Sequence, residues 1–97
     1  MTFDAVAELT DIKDELRVLY EDIRLKMRSV SNDDPECIQK KYNIRQLHWE
    51  VIPLTDKYTE TYEDYLKNME IDTLLERVKL MRDGIKKLRS KLKLQAA

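Results

Sequence analysis

The sequence predicts an all-α protein, an elongated, antiparallel, coiled-coil-like three-helix bundle in which the second helix is kinked. Charged residues make up 38% of the 97-residue chain, and it contains one glycine and two prolines. This composition is typical of long, solvent-exposed helices rather than of turn-rich sheets. Apolar residues also recur every three or four positions in two long segments, the spacing that lines one side of a helix. We expect a single domain over residues 1–97.

The first helix is predicted over residues 3–30, because apolar residues keep a helical period and no Gly or Pro interrupts the segment. The polar residues that follow end this helix. Asp34 and Pro35 then predict the start of the second helix, since an aspartate accepts hydrogen bonds from free N–H groups and proline needs no bond there. The packing side of the first helix consists of Leu9, Ile12, Leu16, Leu19 and Ile23.

The second helix is predicted over residues 35–68, with a kink at Pro53. Proline removes one backbone hydrogen bond and clashes with the Trp49 carbonyl, which usually bends a helix rather than ending it. The apolar residues keep their phase across Pro53, which favours one continuous helix. The alternative is a break at Pro53 followed by one long helix to the C-terminus. The residues assigned to the packing side are Cys37, Ile44, Leu47, Val51, Ile52, Leu54, Tyr58, Tyr62, Tyr65, Leu66 and Met69.

The third helix is predicted over residues 72–95. The apolar phase changes between Met69 and Ile71, and Thr73 with Glu76 resembles a capping box. Gly84 lies in the middle of this helix, where we interpret it as an exposed residue, although a close approach of another backbone is an alternative. The packing side consists of Ile71, Leu74, Val78, Met81, Ile85, Leu88 and Leu92.

No combination of residues predicts catalysis. His48 is the only histidine and Cys37 the only cysteine, and neither has a second ligand at metal-binding spacing. Both are assigned to the packing side of the second helix, which favours structural roles. Adjacent acidic residues such as Glu63 and Asp64 diverge by about 100° on a helix and are expected in solvent. We therefore expect no enzyme activity, cofactor, metal or small-molecule substrate.

Several apolar residues lie away from the packing sides. Tyrosine and tryptophan frequently dominate binding energy at protein interfaces, which makes this group a candidate partner-binding surface. The sequence leaves open whether Trp49 instead belongs to a wider core. We expect the chain to be an adaptor or a subunit of a larger assembly that binds another protein or a second copy of itself. The candidate residues are Ile38, Tyr42 and Trp49 in the second helix, with Val18 and Leu25 in the first.

The alternative function is binding of an anionic ligand by the C-terminal helix. Residues 71–97 carry eight basic and three acidic side chains, whereas residues 1–34 carry five basic and nine acidic ones. No aromatic residue is interleaved with the C-terminal cations, and no glycine-rich phosphate loop occurs, so nucleic acid and membrane surfaces are the less favoured partners. The candidate anion-binding residues are Lys86, Lys87, Arg89, Lys91 and Lys93.

The N-terminal segment has acidic residues where a signal peptide needs a basic start and an apolar run. No stretch approaches the roughly 20 apolar residues that a membrane-spanning helix needs. We therefore expect an intracellular protein, cytoplasmic or nuclear.

Overall fold

The computed structural model describes residues 4–96, and these residues form three α-helices without strands. The molecule is elongated, with principal dimensions of 52 × 24 × 16 Å. The all-α three-helix bundle is thus confirmed. The predicted start of the first helix, at residue 3, lies outside the described residues. The helices are α1 (Ala5–Ser29), α2 (Pro35–Leu66) and α3 (Ile71–Ala96).

Ion pairs between the helices define their relative directions. Arg82 of α3 binds Glu8 of α1, and Arg89, further along α3, lies 3.4 Å from Asp22, further along α1. Therefore α1 and α3 run in the same direction. The α2 helix runs in the opposite direction, because its later residues pair with the start of α3 and its earlier residues with the end. These pairs are Asp64–Arg77 and Glu50–Lys91.

The start of α2 follows the sequence prediction. Asp34 Oδ1 accepts a hydrogen bond from the Cys37 backbone N–H at 2.9 Å, and Pro35 is the first helical residue. The helix continues through Pro53 without interruption, so the predicted continuous helix is confirmed and the alternative break is wrong. It ends at Leu66 rather than at residue 68, because Asn68 adopts a left-handed conformation with φ of 79° and turns the chain towards α3.

The start of α3 differs slightly from the prediction. The Leu74 N–H already donates to the Glu70 carbonyl at 3.0 Å, so the first helical turn forms before Thr73. The interpretation of Thr73 as the capping residue is therefore wrong. Ile71 was assigned to the packing side but is exposed, because it is the first residue of the helix and lies beyond the apolar core.

The core consists of one narrow apolar stripe from each helix. Leu92, the last predicted packing residue of α3, is partly buried against it. Three residues assigned to the packing side of α2 are exposed instead, namely Ile52, Tyr62 and Leu66. Ile52 follows Val51 and is therefore rotated by about 100° from that buried residue, whereas Leu66 is the last residue of its helix. The buried apolar residues are Leu9, Ile12, Leu16, Leu19, Ile23, Ile44, Leu47, Val51, Leu74, Val78, Met81, Ile85 and Leu88.

Gly84 of α3 lies next to the side chain of Leu54 on α2. A Cβ atom built on Gly84 would lie 2.7 Å from Cδ2 of Leu54. This separation is shorter than a van der Waals contact, so a larger residue would have to displace the Leu54 side chain. Gly84 is half-buried, so the interpretation of it as an exposed residue is wrong, and the group beside it is the Leu54 side chain rather than another backbone.

We predict that the effect of Gly84→Ala depends on Leu54. Alanine favours a helix by about 1 kcal/mol over glycine, but its methyl group must displace the leucine side chain. In a Leu54→Ala background this clash is absent, so Gly84→Ala should then stabilise the fold by more, with a coupling of about 1 kcal/mol. Urea denaturation of the four chains measures this coupling. Equal effects of Gly84→Ala in both backgrounds would contradict the contact between Gly84 and the Leu54 side chain.

The cap at Asp34 predicts a specific pH dependence. The hydrogen bond from the Cys37 backbone N–H lowers the pKa of Asp34 below its ordinary value of 3.8, and the bond from the Cys37 thiol adds to this. A carboxyl group whose pKa is lower in the folded state stabilises the fold above its unfolded pKa, and this contribution is lost as the pH falls through the folded pKa. The uncharged variant Asp34→Asn retains a capping oxygen and should therefore show a smaller decrease in Tm between about pH 4 and pH 2. If the Tm of the two chains falls equally with pH, the ionised Asp34 side chain contributes no stability as a cap.

Candidate protein-binding surface

One side of α2 lies opposite its buried stripe and carries exposed side chains at steps of three or four residues. Ile38, Tyr42 and Trp49 are 54%, 56% and 59% exposed, respectively. Trp49 therefore does not belong to the core, which answers the question that the sequence left open. Ile52 continues the same line at one end and is also exposed. We call the outer face of α2 the set Ile38, Tyr42, Arg45, Trp49, Ile52 and Asp56.

The structure separates the predicted partner-binding residues into two surfaces. Ile38, Tyr42 and Trp49 share the outer face of α2. Val18 and Leu25 are exposed on α1 instead. Leu25 lines a groove between α1 and α3, on a different side of the bundle.

The His48 ring lies between the rings of Tyr20 and Trp49 and contacts both. The His48 ring centroid lies 4.9 Å from that of Tyr20 on α1 and 6.2 Å from that of Trp49, which it meets edge-on. The Arg24 guanidinium lies 5.7 Å from the Tyr20 ring centroid. The Nδ1 atom of His48 is buried and has no hydrogen-bond partner among the described residues. His48 thus lies at the boundary between α1 and α2 rather than in the centre of the core.

Two depressions adjoin the outer face on its α1 side. An apolar cleft of about 490 Å³ lies beside Ile52 and Asp56, where Leu16, Tyr20 and Val51 also contribute to its walls. A smaller groove of about 250 Å³ lies further along the helix and is strongly basic. The residues that line this basic groove are Arg24, Met27, Arg28, Lys41 and Arg45.

The charges of α3 and of the outer face of α2 have different surroundings. On α3, Arg89 lies 3.4 Å from Asp22 and Lys91 lies 3.2 Å from Glu50, so two of the predicted anion-binding residues have acidic partners. The other three, Lys86, Lys87 and Lys93, are exposed. On α2, Arg45 and Asp56 are exposed and form no ion pair within residues 4–96.

The remaining candidate residues do not assemble into a chemical site. Cys37 is half-buried, and its partial burial, together with the neighbouring Asp34 carboxylate, raises the pKa of its thiol. A raised pKa leaves the thiol protonated and weakly nucleophilic. In the described part of the chain, no group of three or more His, Cys, Asp or Glu side chains is arranged to hold a metal ion. None of its helices combines the length and apolar character needed to span a membrane.

Comparison of the chain with protein-family models, with curated proteins and with solved structures finds no match. Inference about function therefore starts from the exposed apolar and charged residues themselves. Among these, the outer face of α2 combines the exposed Trp49 with two charged residues, Arg45 and Asp56, that form no ion pair in the described part of the chain.

Substitutions at Leu47 and at Trp49 should change the free energy of unfolding by very different amounts. Leu47 is 5% exposed, so Leu47→Ala should destabilise the fold by about 2–5 kcal/mol. Trp49 faces solvent, so Trp49→Ala should change the free energy of unfolding by only about 0.5 kcal/mol. Urea denaturation followed by circular dichroism measures both changes independently of the tryptophan signal. A comparable loss of stability in both variants would place Trp49 in the core.

Proposed function

We propose that this chain is a non-enzymatic protein-interaction module, acting as an adaptor or a subunit of a larger assembly. It binds protein through the outer face of α2. The observation that carries this proposal is the exposure of Trp49 in line with Ile38, Tyr42 and Ile52, on the side of α2 that no other helix of the bundle covers.

The arrangement of these residues supports binding more strongly than their number does. Single exposed apolar residues are common on protein surfaces and need no explanation. Here they follow one another at heptad spacing along a helix, the pattern that packs against a second helix. The helix is already held by the core, so binding would require little ordering of the chain, and this reduces the entropic cost of association.

The second candidate function is binding of an anionic ligand by α3. Lys86, Lys87 and Lys93 are exposed and support it. Arg89 and Lys91 argue against it, because a phosphate would have to compete with Asp22 and Glu50 for these side chains. Arg45 and Asp56 on the outer face of α2 have no ion-pair partner within residues 4–96, and we therefore favour protein binding.

Photo-crosslinking tests the proposed binding surface in cells. A photoreactive amino acid replaces Tyr42 on the outer face or, as the control, Lys79 on the exposed side of α3. We expect a discrete crosslinked product, with another protein or with a second copy of the chain, from position 42 only. Adding Trp49→Ala should reduce its yield by about tenfold or more, because truncation of a central aromatic residue removes much of the binding energy at many interfaces.

Equal products from both positions, or a product that does not depend on Trp49, would contradict the proposed surface. The second candidate has its own signature. Binding of the purified chain to DNA or to anionic vesicles would then fall steeply with salt and would disappear in a Lys86→Ala, Lys87→Ala, Lys93→Ala variant.

A further inference from the structure

The outer face of α2 has a symmetric order of residues. Trp49 and Ile52 lie on either side of a midpoint, and Arg45 and Asp56 each lie four residues further out from it. If two copies of α2 pack antiparallel about a two-fold axis at this midpoint, Trp49 of each copy lies against Ile52 of the other. Arg45 of each copy likewise lies against Asp56 of the other. Every contact then occurs twice, as a two-fold interface requires.

We propose that the partner bound by the outer face of α2 is a second copy of this chain, in an antiparallel homodimer centred between Trp49 and Ile52. This inference rests on the proposed function and specifies the partner. The two central layers of the interface are apolar, and an ion pair between Arg45 and Asp56 closes each end of this apolar centre.

The residue spacing matches the layers of an antiparallel helix pair. The positions on the outer face of α2 alternate in steps of four and three residues from Ile38 to Asp56, and the same steps continue to the exposed Thr59. Such steps keep the residues on one line that faces a neighbouring helix. In the proposed register, the layer beyond each ion pair places Tyr42 of one copy against Thr59 of the other.

The charges are available for this contact. Arg45 and Asp56 have no ion-pair partner in the described part of their own chain, whereas Arg82 and Arg89 of α3 are paired with acids on α1. Exposed ion pairs add little affinity. Next to a tryptophan that excludes water, they gain strength and select the orientation of the two chains.

The same charges disfavour the other ways of pairing two copies. A parallel pair in register would place Arg45 against Arg45 and Asp56 against Asp56. An antiparallel pair shifted by one heptad would place Asp56 over Ile38 or, in the other direction, over Ile52, so both Arg45–Asp56 ion pairs would be lost. A foreign helix would itself have to carry an acid and a base at the matching positions, whereas this chain already carries both.

The apolar cleft beside α2 lies where the proposed dimer needs space. In this arrangement, Trp49 of the second copy lies on Ile52, at the mouth of the cleft whose walls include Leu16, Tyr20 and Val51. The cleft volume of about 490 Å³ leaves room for an indole ring. Burial of tryptophan against such apolar walls is typical of the residues that dominate interface energetics.

Charge reversal tests the proposed pairing on the full chain. Arg45→Asp and Asp56→Arg each place like charges in contact twice, so each variant should raise the dimer dissociation constant by at least about tenfold. An equimolar mixture of the two variants should recover the wild-type dissociation constant, because each altered residue then faces an opposite charge. Sedimentation equilibrium under reducing conditions measures the masses.

Two further chains control this experiment. The double variant Arg45→Asp/Asp56→Arg should dimerise with itself, since both contacts are again attractive. Lys79→Asp reverses a charge on the exposed side of α3, outside both candidate sites, and should leave the dissociation constant unchanged. Trp49 is the only tryptophan, so its emission should shift to shorter wavelength when dimers form. Circular dichroism establishes that every variant is folded.

Three results would overturn the homodimer in the proposed register: a wild-type chain that stays monomeric at about 1 mM, a dimer insensitive to both reversals, or a mixture that fails to recover. If the wild-type chain is monomeric but position 42 crosslinks to a different protein, the homodimer is rejected and the proposed function is retained. A monomeric chain that also gives no Trp49-dependent crosslink would contradict both. A dimer broken by the reversals but not recovered by mixing would indicate another register.

Discussion

The fold depends on the burial of one narrow apolar stripe from each of three helices along a common axis. Each helix has two neighbours, and these neighbours cover only the side of the helix that carries its stripe. The helices therefore cannot rotate about their own axes without exposing core residues such as Leu47 and Ile85. This constraint fixes the outward side of every helix. Because Ile44, Leu47 and Val51 face the core, Trp49 has to face solvent.

The regular parts of this arrangement could be predicted from the sequence, and the irregular parts could not. The period of α1, and the continuity of α2 across Pro53, follow from spacing alone. Thr61 and Gly84 do not. Thr61 is buried, and its hydroxyl group donates to the Lys57 carbonyl at 2.7 Å. This hydrogen bond satisfies the hydroxyl group, so a polar residue is tolerated in the core. Gly84 lies next to the Leu54 side chain, a contact between residues far apart in sequence.

The candidate surface was only partly accessible from the sequence for a similar reason. Ile38, Tyr42 and Trp49 diverge from the predicted packing side, and this divergence is visible in their spacing. Ile52 directly follows the buried Val51 and was assigned to the wrong side. Steps of four and three residues from Ile38 contain the signal that places Ile52 on the outer face. The charged residues on this line cannot be assigned to a binding surface until the core-facing side of α2 is known, because every helix surface carries exposed charges.

Charges perform the same physical task within the chain and, in the proposed dimer, between chains. Arg82 contacts both Glu8 and Glu15, and Arg89 contacts Asp22, so α3 meets the acidic side of α1. Each exposed pair contributes little to stability. Their order along the helices nevertheless discriminates between arrangements, because a shifted or reversed α3 would lose these partners. Hydrophobic burial alone is non-directional, and specificity for one arrangement requires such a directional contribution. The α3 cations supply it inside the bundle, and in the proposed dimer Arg45 and Asp56 supply it between the two chains.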